Sequence, residues 1–261
     1  MPTPFEIFMN PVALICLGIY GALMLWEYLF PARKLPVAPY WRLRGLTAFV
    51  AYFLLSSYLP LWWDASLAQY KIFNTVALPI WQQAVIGLLV YEFGVYWWHR
   101  TMHSIGWLWR SFHQLHHSAE RLDTFGAFWF SPLDMIGFTF VSSLALTLVV
   151  GVSAEAAVFV LYVTFFLAVF QHANIRTPQW LGYFVQRPES HSRHHARGIH
   201  RDNYADLPIF DLLFGTFKNP ALHQENGFFA GASSRLGEML LWKDLNSTAV
   251  KSDLLTNRAE A

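Results

Sequence analysis

The chain has 261 residues, of which 55% are hydrophobic and only 13% charged, with a formal net charge of +1. That balance excludes an ordinary soluble enzyme, and the lack of a basic stripe interleaved with aromatics argues against nucleic acid as a partner. The single cysteine, Cys16, excludes an internal disulfide, an iron–sulfur cluster and a zinc thiolate site.

The apolar residues gather into five runs near the length of about 20 residues that crosses the hydrocarbon core as a helix. They cover residues 11–30, 46–63, 76–98, 133–152 and 154–171. The first is expected to stay in the mature protein, because residues 1–10 hold no Lys or Arg and no small-residue cleavage site comes after it. The second carries Ser56, Ser57 and Pro60, which leaves a tilt, a kink or a partly interfacial placement open. The last two meet at about Ser153 as a tight hairpin. Trp62, Trp63, Trp97, Trp98, Trp107 and Trp109 crowd the ends of the runs, where an amphipathic ring suits the headgroup region. The expected fold is all-α: about five membrane helices with a helical cap, one unit over residues 1–243. A polar tail, expected to be mobile, occupies 244–261.

Short cytoplasmic loops collect positive charge, so the basic residues orient the helices. Arg33, Lys34, Arg42 and Arg44 lie in the first connection, only Lys71 in the second, and Arg100, Arg110 and Arg121 in the third. The remaining basic residues come after the last run. Five crossings then put the amino terminus outside and the odd connections and the carboxyl-terminal third in the cytosol. Every histidine falls on that same cytosolic side.

Three histidine clusters stand out: His99-Arg-Thr-Met-His103, His113-Gln-Leu-His116-His117 and His191-Ser-Arg-His194-His195. Helical residues at i, i+3 and i+4 share a face, so each cluster can aim two or three imidazoles at one point. A lone histidine is more often a surface or satisfied core residue; eight in three clusters on one side of a membrane need partners or a metal. Imidazole suits zinc, copper, iron and nickel alike. Eight ligands exceed what one ion takes and fit two ions close together. A hydrocarbon substrate dissolved in the membrane favours iron over zinc, because it offers C–H bonds to oxidise and little to hydrolyse.

The three boxes, their order and their interruption by a helical hairpin resemble the fatty acid hydroxylase and sterol desaturase superfamily of membrane di-iron enzymes. The likeness runs over about residues 91–220 and takes in Trp97-Trp98-His99-Arg100, Leu108-Trp109, Gln171-His172-Ala173-Asn174 and the stretch from Asn203-Tyr204 to Leu213-Phe214-Gly215-Thr216. It implies His99, His103, His113, His116, His117, His191, His194 and His195 as metal ligands, with His172 as a ninth. Some relatives carry a further histidine where this chain has Arg176, which leaves Asn174, His200, Asn203 or water as substitutes. The resemblance also implies two iron ions, dioxygen as cosubstrate and hydroxylation of a lipid C–H bond, with desaturation as the runner-up. Electrons would come from an external ferredoxin, or a cytochrome with its reductase, because no dinucleotide or cysteine-cluster motif is present. The lipid that the resemblance implies is a sterol-like, fatty acyl or sphingoid molecule, or a carotenoid.

Glu92 lies seven residues before His99, about 10 Å deeper along the helix. An acid at that depth marks function by default; it is expected either near the metals or substrate, or paired with Gln82 or Gln83, or snorkelling. Asp202 and Asp211 are candidate acceptors for ligand N–H groups, against helix capping or surface charge. His223 is expected to lie outside the site. Non-enzymatic metal transport, metal sensing and zinc-dependent hydrolysis are the competing functions. The lack of a carboxyl-terminal retention signal favours a bacterial inner membrane over endoplasmic reticulum.

Overall fold

The computed structural model describes residues 1–247, and among these every regular element is helical, with one isolated bridge between Ala196 and Asn226. A short α1 (Pro4–Phe8) closes on a Thr3–Glu6 capping box. Asn10 then caps α2 (Pro11–Leu29) by accepting the Val12 N–H, with Pro11 in the first turn where its missing donor costs nothing. α3 (Trp41–Leu67) starts five residues before its apolar run and continues as helix through Pro60. α4 (Ile80–Ser104) is succeeded by α5 (Gly106–Leu108), a π turn over Trp109–His113 and α6 (Gln114–His117). Ser131 caps α7 (Pro132–Ser143), which runs into a second π turn, Leu144–Val150.

The hairpin expected at Ser153 is built by Gly151 and by Ser153, which caps α8 (Ala154–His172). Gly151 has φ 61, and a Cβ there would collide with the Phe73 carbonyl, so both its dihedral and its close neighbour call for glycine. Ile72 and Phe73 donate to the Leu148 and Val149 carbonyls that the π turn leaves free. The cap holds α9 (Pro188–His194), α10 (Ile209–Leu213) and α11 (Leu236–Leu240).

α4 packs against α7, the second π turn and α8; α2 lies on α8, and α3 on α7. The helices alternate in direction, and side-chain bonds tie both ends. At one end Glu27 accepts the N–H groups of Thr124 and Asn174, and the Trp41 indole donates to Asp123. At the other the Trp63 indole donates to Ser143, and Gln83 accepts the Ser153 N–H. Leu25, Trp26, Leu43, Trp62, Trp81 and Leu161 remain exposed on outer faces, as a lipid-facing surface requires.

Among the described residues, four helices are long and apolar enough to cross a membrane: Pro11–Leu29, Trp41–Tyr70, Pro132–Val150 and Ala154–His172. The third run forms a helix of 25 residues, α4, that is long enough but less apolar. It carries Gln82, Gln83, Glu92, His99, Arg100 and His103, and Gln83, Glu92 and His99 are buried against protein. Four of the five runs expected from sequence thus form helices apolar enough to cross a membrane, and α4, of crossing length, is the polar-lined one. Of the expected tail, Leu245 is buried in a cluster with Trp129 and Met239, and residues 248–261 lie outside those described.

Gly45 brings α3 against the Phe125 carbonyl, where a Cβ has no room. Gly45→Val should therefore overpack the contact and destabilise the protein by about 1–3 kcal/mol, read as a lowered melting temperature in detergent.

Candidate metal centre

Four separate elements deliver the histidines. α4 ends on His99 and His103, one turn apart. The π turn supplies His113, and α6, continuing from it, supplies His116 and His117. The HxxHH box spreads its three rings over two groups, and the HxxHH box of α9, with no π turn, divides in the same way. α8 ends on His172, and α9 carries His191 and His194 with His195 at its cap.

The nine rings form two groups in which the ligand-competent nitrogens all lie within 4.8 Å of one another: His99, His103, His113, His117 and His194, and His116, His172, His191 and His195. All nine residues proposed from sequence are brought together. The two groups touch, with the His117 and His195 rings stacked at 4.0 Å.

Hydrogen bonds on the outer edge of the rings decide which nitrogen faces inward. His99 Nδ1 lies 2.8 Å from the Tyr204 carbonyl, His172 Nδ1 2.6 Å from the Ala168 carbonyl and His194 Nδ1 2.6 Å from the Asp202 carbonyl. A carbonyl only accepts, so each Nδ1 must carry the proton. His113 Nδ1 donates in the same way to the Asp134 carboxylate at 2.7 Å. In each neutral ring Nε2 then bears a lone pair. Yet His99 Nε2 and His113 Nε2 lie 2.8 Å apart, and His172 Nε2 lies 3.1 Å from His116 Nε2 and 3.0 Å from His191 Nε2. His99 and His113 thus set lone pair against lone pair, which repel unless a cation lies between them. Nitrogens bound at about 2.1 Å to one metal lie about 3 Å apart when adjacent, and that is the spacing seen. The donor set therefore fits metal ions, and the unpartnered Nε2 atoms of His103, His117 and His194 add ligands to the first group.

Burial, then the neighbouring imidazoles, hold the pKa values of His113, His116, His117, His191, His194 and His195 well below the ordinary histidine range. Neutral imidazole is the form that binds a metal.

The supports differ partly from expectation. Asp134, an acid in the first turn of an apolar helix, is the carboxylate that orients His113; its position behind Ser131-Pro132 reads as a helix start and hid this. Asp202 supports His194 through its backbone carbonyl, while its carboxylate faces Arg193 at 3.4 Å. Asp211 accepts the N–H groups of Tyr204 and Ala205 and the Thr216 hydroxyl, fixing the loop whose Tyr204 carbonyl holds His99. Glu92 is neither beside Gln82 or Gln83 nor among the grouped ligands: its Oε2 accepts the N–H groups of Asp206 and Leu207 at 2.9 and 3.1 Å. The Gln186 amide lies 3.0 Å from His191 Nδ1.

His200 sits behind His117, Nδ1 to Nδ1 at 3.1 Å, and is outside both groups, as is His223. Burial lowers the His200 pKa to about 4. The amide groups of Asn174 and Asn203 donate to backbone carbonyls, and Arg176 is exposed.

An apolar cavity of about 380 Å³ opens among α2, α3, α7 and α8, and a smaller one of about 70 Å³ lies against His99, His113, His116, His172 and His191. Tyr52, Tyr91, Phe128, Phe138 and Ala168 line both, so the two adjoin. Ser56, Ser57, Thr139 and Thr164 also line the larger cavity, but each donates its hydroxyl to a carbonyl of its own helix. The walls are consequently less polar than their composition.

The fatty acid hydroxylase family model matches residues 84–216, half of the chain. The chain is 35% identical over 147 residues to an ornithine lipid hydroxylase of Rhizobium tropici, covering 54% of this chain and 44% of the relative. It is 32% identical over 173 residues to the human alkylglycerol monooxygenase, covering 63% and 36%. A Delta(7)-sterol-C5(6)-desaturase of Nicotiana tabacum is 31% identical over 144 residues, covering 52% and 50%. The chain thus spans half or less of the length of these curated relatives. No solved structure matches it at a significant level.

Asp134→Asn should weaken metal binding about 10- to 100-fold by replacing the anionic acceptor that fixes His113 with a neutral amide, measurable as metal retained through chelator dialysis. The depressed histidine pKa values also set a pH dependence for the metal-free protein. The unfolded rings gain protons near 6.5, whereas the buried ones do so lower, at about 4 for His200. Stability should be full above pH 6.5 and fall progressively from there toward pH 4, which thermal unfolding across that window checks.

Proposed function

Because the chain belongs to the fatty acid hydroxylase family, we propose that it is a membrane-bound, dioxygen-dependent oxidoreductase that hydroxylates a C–H bond of a lipid. The observation that carries this reading is the adjacency of a histidine-only, doubly grouped metal site to an apolar cavity between membrane helices. Two iron ions would be held, one by His99, His103, His113, His117 and His194 and the other by His116, His172, His191 and His195, and would activate dioxygen for attack on an unactivated carbon. R–H, dioxygen, two electrons and two protons then give R–OH and water.

The protein's own part is positional. A hydrocarbon chain lies in the large cavity, passes Tyr52, Tyr91, Phe128, Phe138 and Ala168, and presents one carbon beside the histidines. Holding that carbon in a dry site supplies the orientation the reaction needs. Asp134 and the Tyr204, Ala168 and Asp202 carbonyls keep the ligand rings in the tautomer that aims Nε2 inward. Glu92 acts as a positioning residue, clamping the loop at Asp206 and Leu207 rather than touching substrate.

The electrons come from a separate ferredoxin, or a cytochrome with its reductase, docking on the cytosolic face where basic residues steer an acidic partner. Residues 1–243 act as one unit, with the histidine end facing the cytosol, and a bacterial inner membrane is the favoured setting. Desaturation is the second reading, favoured by the sterol desaturase relative.

His194→Ala and His116→Ala should each abolish turnover with membrane insertion intact, since each removes a ligand from a different group. Lipid mass spectrometry under ¹⁸O-labelled dioxygen distinguishes the reactions: label in the product marks hydroxylation, and a new double bond without label overturns it. Wild-type oxidation in either variant would refute the proposed site.

A further inference from the structure

A second concavity, of about 740 Å³, lies at the histidine end of the helices but is separate from the cavities of the metal site. Its wall is divided by chemistry. Arg33, Lys34, Arg42 and Arg121 line one part, and Met24, Leu25, Tyr28 and Phe125 another. Met24, Leu25 and Tyr28 succeed one another on the last turns of α2, and Leu25 and Tyr28 are exposed. This wall therefore runs from the charged end of the pocket along a membrane helix.

The charges are not all spent inside the protein. Arg33 donates to the Gln224 carbonyl and the Asn226 side chain, and Arg121 pairs with Asp123 at 2.9 Å. Glu27, the one acid in the lining, is turned to the N–H groups of Thr124 and Asn174. Lys34 and Arg42 are exposed and form no ion pair among the described residues; Arg42 lies over the Phe125 ring at 5.6 Å. Two free cations at the mouth of a pocket whose other wall is apolar ask for an amphiphile with a negative head.

We propose that this pocket binds the anionic headgroup of a membrane lipid, phosphate or carboxylate, with Lys34 and Arg42 as its counter-charges and the acyl chain lying along Met24, Leu25 and Tyr28 of α2. A free phosphate ion has the same charge chemistry but no use for the apolar wall, so the lipid is the source the geometry favours. The site is independent of the oxidation reaction and stands whether or not that reading holds.

The test is native mass spectrometry of the full chain in detergent, titrated with dioleoylphosphatidylglycerol or dioleoylphosphatidylcholine. Phosphatidylglycerol should be retained preferentially. Each basic residue near an anionic headgroup is worth about fivefold in binding, so Lys34→Gln with Arg42→Gln should cost about thirtyfold. Lys34→Arg with Arg42→Lys should restore binding, and Lys218→Gln with Lys243→Gln should leave it unchanged at the same melting temperature. Equal retention of the two lipids, or no loss in the Lys34/Arg42 double variant, overturns the proposal. Displacement of phosphatidylglycerol by millimolar inorganic phosphate would assign the pocket to a soluble anion and overturn the lipid as its ligand.

Discussion

Imidazole lone pairs meeting at hydrogen-bond distance are the constraint on which the rest of this molecule depends. His99 and His113 approach at 2.8 Å through nitrogens that their outer hydrogen bonds have left without protons. In a protein interior such a contact is repulsive, and an unpaired polar atom buried there costs of order 1–3 kcal/mol. The cost repeats at His103, His117 and His194, whose inner nitrogens have no protein partner. A cation at each focus turns the same set of atoms from a liability into a source of stability, because metal affinity and folding free energy are then linked.

Holding that arrangement requires the outer edges of the rings to be fixed as firmly as the inner ones. The acceptors come from places remote in sequence: a carboxylate on α7, a carbonyl one turn back on α8, and the carbonyls of Asp202 and Tyr204 in the cap. The cap loop is itself anchored at three points. Asp211 grips it at Tyr204 and Ala205, Glu92 rises from α4 to take Asp206 and Leu207, and Asn203 donates to Ser190 and Lys218. Asp202 and Asn203 adopt positive φ, a left-handed path that these two residue types take more readily than other side chains do. Asp211 and Glu92 thus serve the grouped histidines at one remove, which explains why acids so near the site take no place in either group.

The helices and the ligand candidates were legible in the sequence because each rests on a short-range signal. Apolar run length shows a membrane helix, and HxxxH or HxxHH spacing shows a shared face. α4 was harder, because its polar residues face other helices and lower its apolar character while it keeps the length of a crossing. The two π turns were not legible at all: Trp109–His113 and Leu144–Val150 read as ordinary helix, and no residue type announces the extra residue. The division of each HxxHH box between two groups was hidden for a different reason: it depends on which distant histidines each ring meets, and the α9 box divides in the same way. Asp134 escaped because an acid after Ser-Pro has a sufficient local explanation as a first-turn helix residue, and Glu92 found backbone donors that come from more than a hundred residues away. Long-range partners leave no trace in local pattern.

Polarity is arranged along the helices as well as across them. The histidine nitrogens close one end of a space whose other walls are mainly aromatic and aliphatic, and the hydroxyls of Ser56, Ser57, Thr139 and Thr164 there are bonded back to their own helices. An occupant of that space meets no unspent donor from Ser56, Ser57, Thr139 or Thr164, so those groups offer a charged or strongly hydrated head little in exchange for its water. The free cations stand outside it, at Lys34 and Arg42, beside the end of α2. Hydrocarbon is thereby favoured inside and charge outside, and the depth to which an amphiphile enters is limited by the cost of desolvating its head. Under the proposed hydroxylation, the carbon reached would then be set by the length of the path past Tyr52, Tyr91, Phe128, Phe138 and Ala168.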